Sequence, residues 1–332
     1  ADHHGDRYYT WRHQTTAQSP AQSTQADQGF MKKSPRKIKH TAVLINYCNA
    51  KDTLRCLNSI AQTKDTPHVI VVDNGSTDTS VADLKQAYPN LDLIANPVNV
   101  GFSLANNLGI ERALKMGAQV VYILNNDTEV DSNLFFRSYR SVAGKNRLVG
   151  GKIYYAKGYE YHDPQKGLGN VLWYAGGHFD WQSVIAVHDA VDEIDRGQYD
   201  KIRPVDFVTG CFMAIPRQVF KKIGLFDPSF FLYLEDADLC LRAKKLGVEI
   251  IYNPSLILYH LNSSSTVAGS PLVDYYLTRN RFLIGKRYGG IRIRLALLKE
   301  ALSRNWSSSV RRRAFFDYLW GRMGNRNDKI PL

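Results

Sequence analysis

Residues 41–124 repeat one pattern. Ala42-Val43-Leu44-Ile45 is a short apolar run, partly β-branched, as in a strand buried on both faces. Across 51–63, Leu54, Leu57 and Ile60 recur at helical spacing. A second buried run, Val69–Val72, ends in the turn-forming cluster Asp73-Asn74-Gly75-Ser76. Residues 79–87 read as a helix and 91–95 as a strand. Residues 103–116 read as a helix with Leu104, Leu108, Ala113 and Leu114 on its apolar side and Gly117 closing it. Val120–Leu124 is a fourth strand and runs into Asn125-Asn126-Asp127. Strands alternating with helices predict an α/β fold with a Rossmann-like, mostly parallel central sheet and helices on both faces. Ligands of such sheets bind at the carboxyl ends of the strands, where Asp73 and Asp127 fall.

The pattern changes near residue 150. Gly, Tyr and His become frequent and helical periodicity is weak up to Pro216, which predicts a loop-rich, mixed-sheet half. Helices are expected at 216–224 and 235–246, and two strands at 249–252 and 256–259, the second ending at His260. The last 55 residues read as mostly helical and basic. Residues 1–40 are expected to be a flexible arm or an added segment: the first 30 are polar without a period, and Met31 opens a Lys-rich run.

Composition narrows the class. Hydrophobic residues at 44% and charged ones at 22% fit a folded globular chain, not a disordered, collagen-like or coiled-coil one. No apolar run approaches the length of a membrane span, and the start lacks the layout of a secretory leader. Cys48, Cys56, Cys211 and Cys240 form no CxxC pair or zinc spacing and read as reduced, buried thiols, hence a cytoplasmic chain. The net charge of +12 is concentrated: residues 31–40 carry +5 and 279–332 carry +11, while 41–278 carry −3. Basic ends suit an anionic partner, either a membrane surface or a polyphosphate. No nucleic-acid-binding motif accompanies the charge, so nucleic acid is not expected.

Four places hold candidate chemistry. Asp127, just past a strand end, suits a hard divalent cation or a helix N-cap. Asp73 suits hydrogen bonds from a nucleobase or ribose, or an Asx-turn. Glu235, Asp236 and Asp238 open a helix after an aromatic run, which suits a general base with a raised pKa or a capped helix. His260 gains a role beyond structure if it meets Asp127 in space. No GxxxxGKS/T loop, GxGxxG turn, GxSxG elbow or HExxH helix is present.

Five motifs in order resemble the family 2 inverting glycosyltransferases of GT-A fold, in their bacterial rhamnosyltransferase-like branch. They are Val71–Asp78 (VVDNGSTD), Asn99–Gly109 (NVGFSLANNLG), Leu124–Asp127 (LNND), Val205–Cys211 with Ile223–Asp227, and Phe231–Leu239 (FLYLEDADL). The resemblance runs from about 41 to 325, and includes Ala314–Gly324. It implies a nucleotide-sugar-binding half at 41–150, an acceptor-binding half at 151–278, and a basic helical extension at 279–332. Asp73 then recognises the donor's base or ribose, with Asn46 and Tyr47 in the same pocket. Asn99, Gly101, Asn106 and Asn126 line the donor side. Asp127 and His260, with Asn125 where the family's motif has a first acid, hold Mg²⁺ or Mn²⁺. Asp236 is the base, and Glu235, Asp238 and Gly210 support the base or acceptor. Trp173, Tyr174 and Trp181, in an acceptor-side loop at 154–190, are either sugar-stacking or core aromatics.

The resemblance further implies a dTDP- or UDP-sugar donor, with dTDP-rhamnose first, and a glycan or lipid-linked glycan acceptor in cell-surface polysaccharide synthesis. In the extension, Ile291, Leu295, Leu298 and Leu302 form one apolar stripe among Arg292, Arg294, Lys299 and Arg304. That composition suits a helix lying on an anionic membrane, which would place the enzyme on the inner face of the cell membrane. The same stripe suits packing on the catalytic domain or on a second subunit. A nucleotidyltransferase of related sheet type lacks its Gly-rich loop here. A catalytically silent assembly subunit stays open because of Asn125.

Overall fold

A computed structural model describes residues 39–160, 169–262, 270–303 and 308–327. The expectation for residues 1–38 lies outside them. His40 is not part of an arm: it is buried and opens the first strand.

The first half follows the predicted alternation: β1 (His40–Asn46), α1 (Ala50–Ala61), β2 (His68–Asp73), α2 (Ser80–Ala87), β3 (Asp92–Ala95), α3 (Gly101–Lys115) and β4 (Val120–Asn125). These four strands are parallel, in the spatial order β4-β1-β2-β3. The chain thus steps outward from β1 to β3 and returns across β1 and β2 to β4. Right-handed crossovers place α3 on the face opposite α1 and α2. Val43, Leu44, Val71, Val72 and Val120–Tyr122 are fully buried, as strands covered on both faces require.

Three elements were not legible as periodic runs: β5 (Thr128–Val130), α4 (Leu134–Val142) and β6 (Arg147–Tyr155). The second half adds β7 (Leu172–Tyr174), β8 (Gly177–Asp180), β9 (Ile185–His188), β10 (Arg203–Pro204), β11 (Phe212–Pro216), α5 (Arg217–Ile223), α6 (Glu235–Lys245) and β12 (Glu249–His260). β11 enters antiparallel between β4 and β6, and the sheet continues through β12 to β10. β8 and β9 form a separate hairpin. The two strands expected at 249–252 and 256–259 are one strand with an irregularity between Asn253 and Ile257. Pro254 sits in that gap and has no N–H for the ladder, so the chain bulges there instead of ending.

The extension folds as α7 (Pro271–Tyr288), α8 (Ile291–Ser303) and α9 (Ser309–Leu319). Ser270 caps α7, accepting from the Val273 N–H, with Pro271 in the first turn. Phe282, Leu283 and Ile284 of α7, Leu297 and Ala301 of α8 and Phe315 of α9 join one buried cluster with Phe230, Leu234 and Ala237. The stripe predicted to pack or to meet a membrane faces outward: Ile291, Leu295, Leu298 and Leu302 are 45–69% exposed. Among the described residues, that stripe is therefore not packed into the catalytic domain. Cys56, Cys211 and Cys240 are buried, but Cys48 is exposed, in a left-handed turn one residue beyond Tyr47.

Candidate active site

Strand register builds the first part of the site. Asn46 lies opposite Asp73, and Ile45 opposite Asn125, so three polar residues close adjacent parallel strands at one sheet edge. Asn46 and Asp73 are buried and joined: Asn46 Nδ2 donates to Asp73 Oδ2 at 2.7 Å. Ser76 donates its N–H to Asp73 Oδ1 at 3.0 Å and its hydroxyl to Oδ2 at 2.6 Å. Asp73 thus holds its own turn, but through the N–H three residues on and not the one two residues on that an Asx-turn uses. A carboxylate offers about four acceptor positions, so with three used Asp73 keeps capacity for an incoming N–H or O–H. Tyr47 stands exposed at the rim of this pair.

Asn74, which the sequence reading did not single out, ties the turn to the next loop. Its amide donates to Asn99 Oδ1 at 3.0 Å and accepts from the Val100 N–H at 3.0 Å. Asn99 Oδ1 also accepts from the Gly101 N–H at 2.9 Å. Gly101 has φ +84°, and a Cβ there would lie 2.5 Å from the Phe231 carbonyl oxygen, so only glycine fits. Asn106 is fully buried on α3; its amide donates to the Phe102 carbonyl at 3.0 Å, and its Oδ1 has no partner among the described residues.

Asp127 lies in the tight turn between β4 and β5, and α4 begins later, at Leu134, so the N-cap reading falls. β5 pairs with the end of β12, Thr128 opposite His260, and this carries His260 to Asp127. The two meet at 3.1 Å, His260 Nε2 to Asp127 Oδ1, both buried. Asn125 closes β4, its N–H bonded to the Cys211 carbonyl, and Asn126 Nδ2 donates to Thr53 Oγ1 at 2.8 Å. Among the described residues no group of three His, Cys, Asp or Glu side chains converges. One carboxylate and one imidazole suit a hard divalent cation as a partial ligand set, which would need further oxygen ligands from outside these two residues.

Asp236 is the partly buried second residue of α6. Its carboxylate accepts from the Gly210 N–H at 2.9 Å and from the Ala237 N–H at 2.7 Å. Burial still pushes its pKa above the usual carboxylate value. Glu235, beside it, is pushed well up by burial and then by the Asp236 charge, and its Oε2 has no partner among the described residues. Gly210 adjoins Cys211, whose carbonyl takes the Asn125 N–H at 3.0 Å. One short chain of contacts thus links the base candidate to the turn that carries Asp127.

The third acid has a different part. Asp238 is fully buried and accepts from Arg242 at 2.8 Å, Arg287 at 3.0 Å and the Tyr288 hydroxyl at 2.7 Å. Repulsion between this carboxylate and its two acidic neighbours is offset by two guanidinium groups. Asp238 supports α6 and α7, and we expect Asp238→Ala to destabilise the fold by about 3 kcal/mol, as for a broken buried ion pair. Urea denaturation followed by circular dichroism measures it.

The aromatics divide. Trp173 is half-buried, its ring 4.4 Å from that of His260 and 4.7 Å from that of His188. Desolvation among these rings pushes the His188 pKa down to about 4 and keeps it neutral. Tyr174 is fully buried and donates to the Phe207 carbonyl, and Trp181 packs on Phe179 beside the extension cluster. Those two are core aromatics.

The model of the family "Glycosyl transferase family 2" matches residues 41–224, more than half of the chain. The chain belongs to glycosyl transferase family 2. It is a glycosyltransferase, of the class that moves a sugar from a nucleotide-linked donor in glycan synthesis. It is 25% identical over 246 residues, 73% of each chain, to the low-salt glycan biosynthesis hexosyltransferase Agl10 of Haloferax volcanii. It is 26% identical over 245 residues, 68% of this chain and 76% of the other, to N-acetylglucosaminyl-diphospho-decaprenol L-rhamnosyltransferase of Mycobacterium tuberculosis. It is 22% identical over 260 residues, 73% and 78% of the two chains, to the dTDP-rhamnosyl transferase RfbF of Shigella flexneri. The fold resembles that of GalNAc-T7 with UDP, GalNAc and Mn²⁺, with a TM-score of 0.59 and 14% identity over 86% of this chain and 57% of that one.

In this transferase, Asp236 and His260 lie beyond the residues that the family model matches. They reach the sheet edge through hydrogen bonds that long-range topology supplies.

Proposed function

We propose that the transferase moves a sugar, rhamnose from dTDP-rhamnose as first candidate, onto a hydroxyl of a glycan or lipid-linked glycan, inverting the anomeric centre. The reading is carried by one juxtaposition: the Asp127–His260 pair and Asp236 are joined through Asn125, Cys211 and Gly210 at one sheet edge. Asp73, with Asn46 and Tyr47, takes the base or ribose of the donor. Asn99, Gly101, Asn106 and Asn126 shape the donor side. Asp236 accepts the proton of the acceptor hydroxyl as its oxygen bonds to the anomeric carbon; the bond to the diphosphate oxygen breaks and the nucleoside diphosphate leaves with that electron pair. Asp127 and His260 would hold Mg²⁺ or Mn²⁺, which would supply positive charge to offset that of the leaving diphosphate. Gly210 fixes the base through its N–H, and Trp173 offers a ring beside His260 for the acceptor sugar.

Rhamnose is favoured because two of the relatives are named for its transfer. A UDP-hexose is the second reading, since Agl10 is named a hexosyltransferase. Incubation with dTDP-rhamnose and with UDP-hexoses, each with lipid-diphosphate-linked sugar acceptors, separates them by the mass added to the product. No mass added from any donor would overturn the reading.

The acceptor surface is proposed to be an anionic membrane, on the inner face of the cell. No helix among the described residues is long and apolar enough to cross one. The exposed stripe on α8 has exposed Arg292, Arg294 and Lys299 beside it, and Leu319 and Trp320 at the end of α9 are also exposed. Apolar side chains flanked by cations match an anionic bilayer surface better than a protein face. The full chain is expected to sediment with phosphatidylglycerol-containing vesicles and not with phosphatidylcholine ones. Leu295→Asp with Leu298→Asp should weaken that binding by about tenfold or more, on the scale of two lost apolar contacts. Equal binding by the variant, or a dimer that the variant breaks, would overturn the membrane assignment.

A further inference from the structure

The turn that delivers Asp236 has every carbonyl oxygen occupied. Ser229 O accepts from Arg279 at 3.1 Å, Phe230 O from the Ser103 hydroxyl at 2.5 Å, and Phe231 O from the Phe102 N–H at 2.8 Å. Leu232 O and Tyr233 O both accept from Asn280 Nδ2, at 2.9 and 2.8 Å, and Leu234 O accepts from the Asp238 N–H. The turn is thus held from two sides. α3, which opens at the Asn99–Gly101 loop, holds one, and α7 of the extension holds the other.

The hold is needed because the turn is strained. Tyr233 and Leu234 are consecutive non-glycine residues with φ of +68° and +66°, immediately before Glu235 and Asp236. Side chains at such positions crowd the backbone, so the conformation persists only where its surroundings fix it. Asn280 is fully buried and spends both amide protons on this turn. Its orientation is set by Arg279, whose Nε donates to Asn280 Oδ1 at 3.1 Å. Arg279 is itself fully buried. It is anchored by the Gly324 carbonyl at 2.8 Å, and its guanidinium carbon lies 4.8 Å from the Tyr276 ring centre.

We propose that Asn280, oriented by Arg279, is a positioning residue that holds the left-handed Tyr233–Leu234 turn and so sets the base Asp236 against the donor side. This rests on the transferase reading with Asp236 as base. The extension is then part of the catalytic apparatus, in addition to any surface it offers outward. A relaxed turn would shift Asp236 without touching Asp73, Asp127 or His260.

The test uses the full chain with Asn280→Ala and Asn280→Asp. Aspartate keeps the size of asparagine but sets an oxygen, in place of both N–H donors, against the two carbonyl groups; alanine removes the donors without adding charge. In both variants kcat is expected to fall about 100-fold, the scale of a misplacement near 1 Å. The donor KM should stay within about threefold. The acid limb of the kcat–pH profile should move to lower pH, because a loosened turn admits water to Asp236. Amide exchange across 229–238 should accelerate by about tenfold or more while the central strands keep their protection. Full activity in Asn280→Asp, or unchanged exchange at 229–238 in either variant, would overturn the proposal. Should Asn280→Ala fail to fold, Asn280→Asp and the exchange measurement decide alone. Absence of transfer by the unmodified chain would count against the transferase reading, and the exchange comparison would still decide the role of Asn280.

Discussion

Asp236→Asn is expected to lower kcat by about 10³-fold, within the range of a lost general base, while the donor dissociation constant changes by less than about twofold. The substitution keeps the shape of the side chain and one oxygen for the Gly210 N–H; it gives up the acceptor for the Ala237 N–H, a cost small beside the packing that holds the turn and α6. It removes the ability to take the acceptor proton. The pH dependence follows from the raised pKa. The ionised carboxylate is the active form, so activity falls as pH drops through that pKa, and the fall begins above the usual carboxylate range near 4. The residual activity of Asp236→Asn should lack this limb. A radiolabelled-donor assay across pH 4–9, beside donor titration calorimetry, reads both effects. Survival of transfer in Asp236→Asn would move the base elsewhere, with Glu235 the first alternative.

The second large effect is expected at Asp127. Asp127→Ala should reduce transfer by about 10²-fold or more, as when a group that stabilises leaving-group charge is removed. It should also remove any gain in donor affinity that Mn²⁺ provides. His260→Ala should act in the same direction with a smaller loss, because the carboxylate brings the charge. In the unmodified enzyme, a chelator should stop transfer and excess Mg²⁺ or Mn²⁺ should restore it. Donor titrations with and without metal, on both variants, measure this. Metal-independent donor binding with full transfer would assign the Asp127–His260 contact to structure alone.

The sheet was legible because its signals are local. Apolar runs at 42–45, 69–72 and 120–124 need only their own residues to read as buried strands, and each fell within one or two residues of its place. Asp73 and Asp127 were legible for the same reason, since a polar cluster after a buried strand marks a carboxyl end. The second half was harder. β6 contains Gly150 and Gly151 in place of branched apolar residues, because Val208 and the Leu256 backbone pack against them, and this removed the strand signal. β12 carries Pro254, which a local reading takes as a break.

The extension shows the limit most clearly. Arg279 and Asn280 sit in a basic, polar stretch whose composition suggests solvent, yet both are fully buried. Their partners are carbonyl groups about fifty residues earlier, at Ser229, Leu232 and Tyr233, and 45 residues later, at Gly324, which no local pattern encodes. In α8 the stripe Ile291, Leu295, Leu298 and Leu302 looks like a packing face, yet Leu297 and Ala301 make the inward contact. Two apolar faces on one helix leave the sequence without a rule for choosing between them. A second, otherwise unneeded apolar face was the signal available for an exposed surface.

The sheet edge bearing Asp73, Asp127 and His260 is proposed as the nucleotide-sugar site. Its most direct test is thermal denaturation of the full chain against a panel of dTDP- and UDP-sugars, each with and without Mn²⁺. A ligand that binds the folded state alone raises the unfolding temperature. At least one donor, dTDP-rhamnose first, is expected to raise Tm; Mn²⁺ should increase the rise, and Asp127→Ala should abolish the Mn²⁺ increment. A folded protein whose Tm is unmoved by every donor, with or without metal, would contradict that assignment.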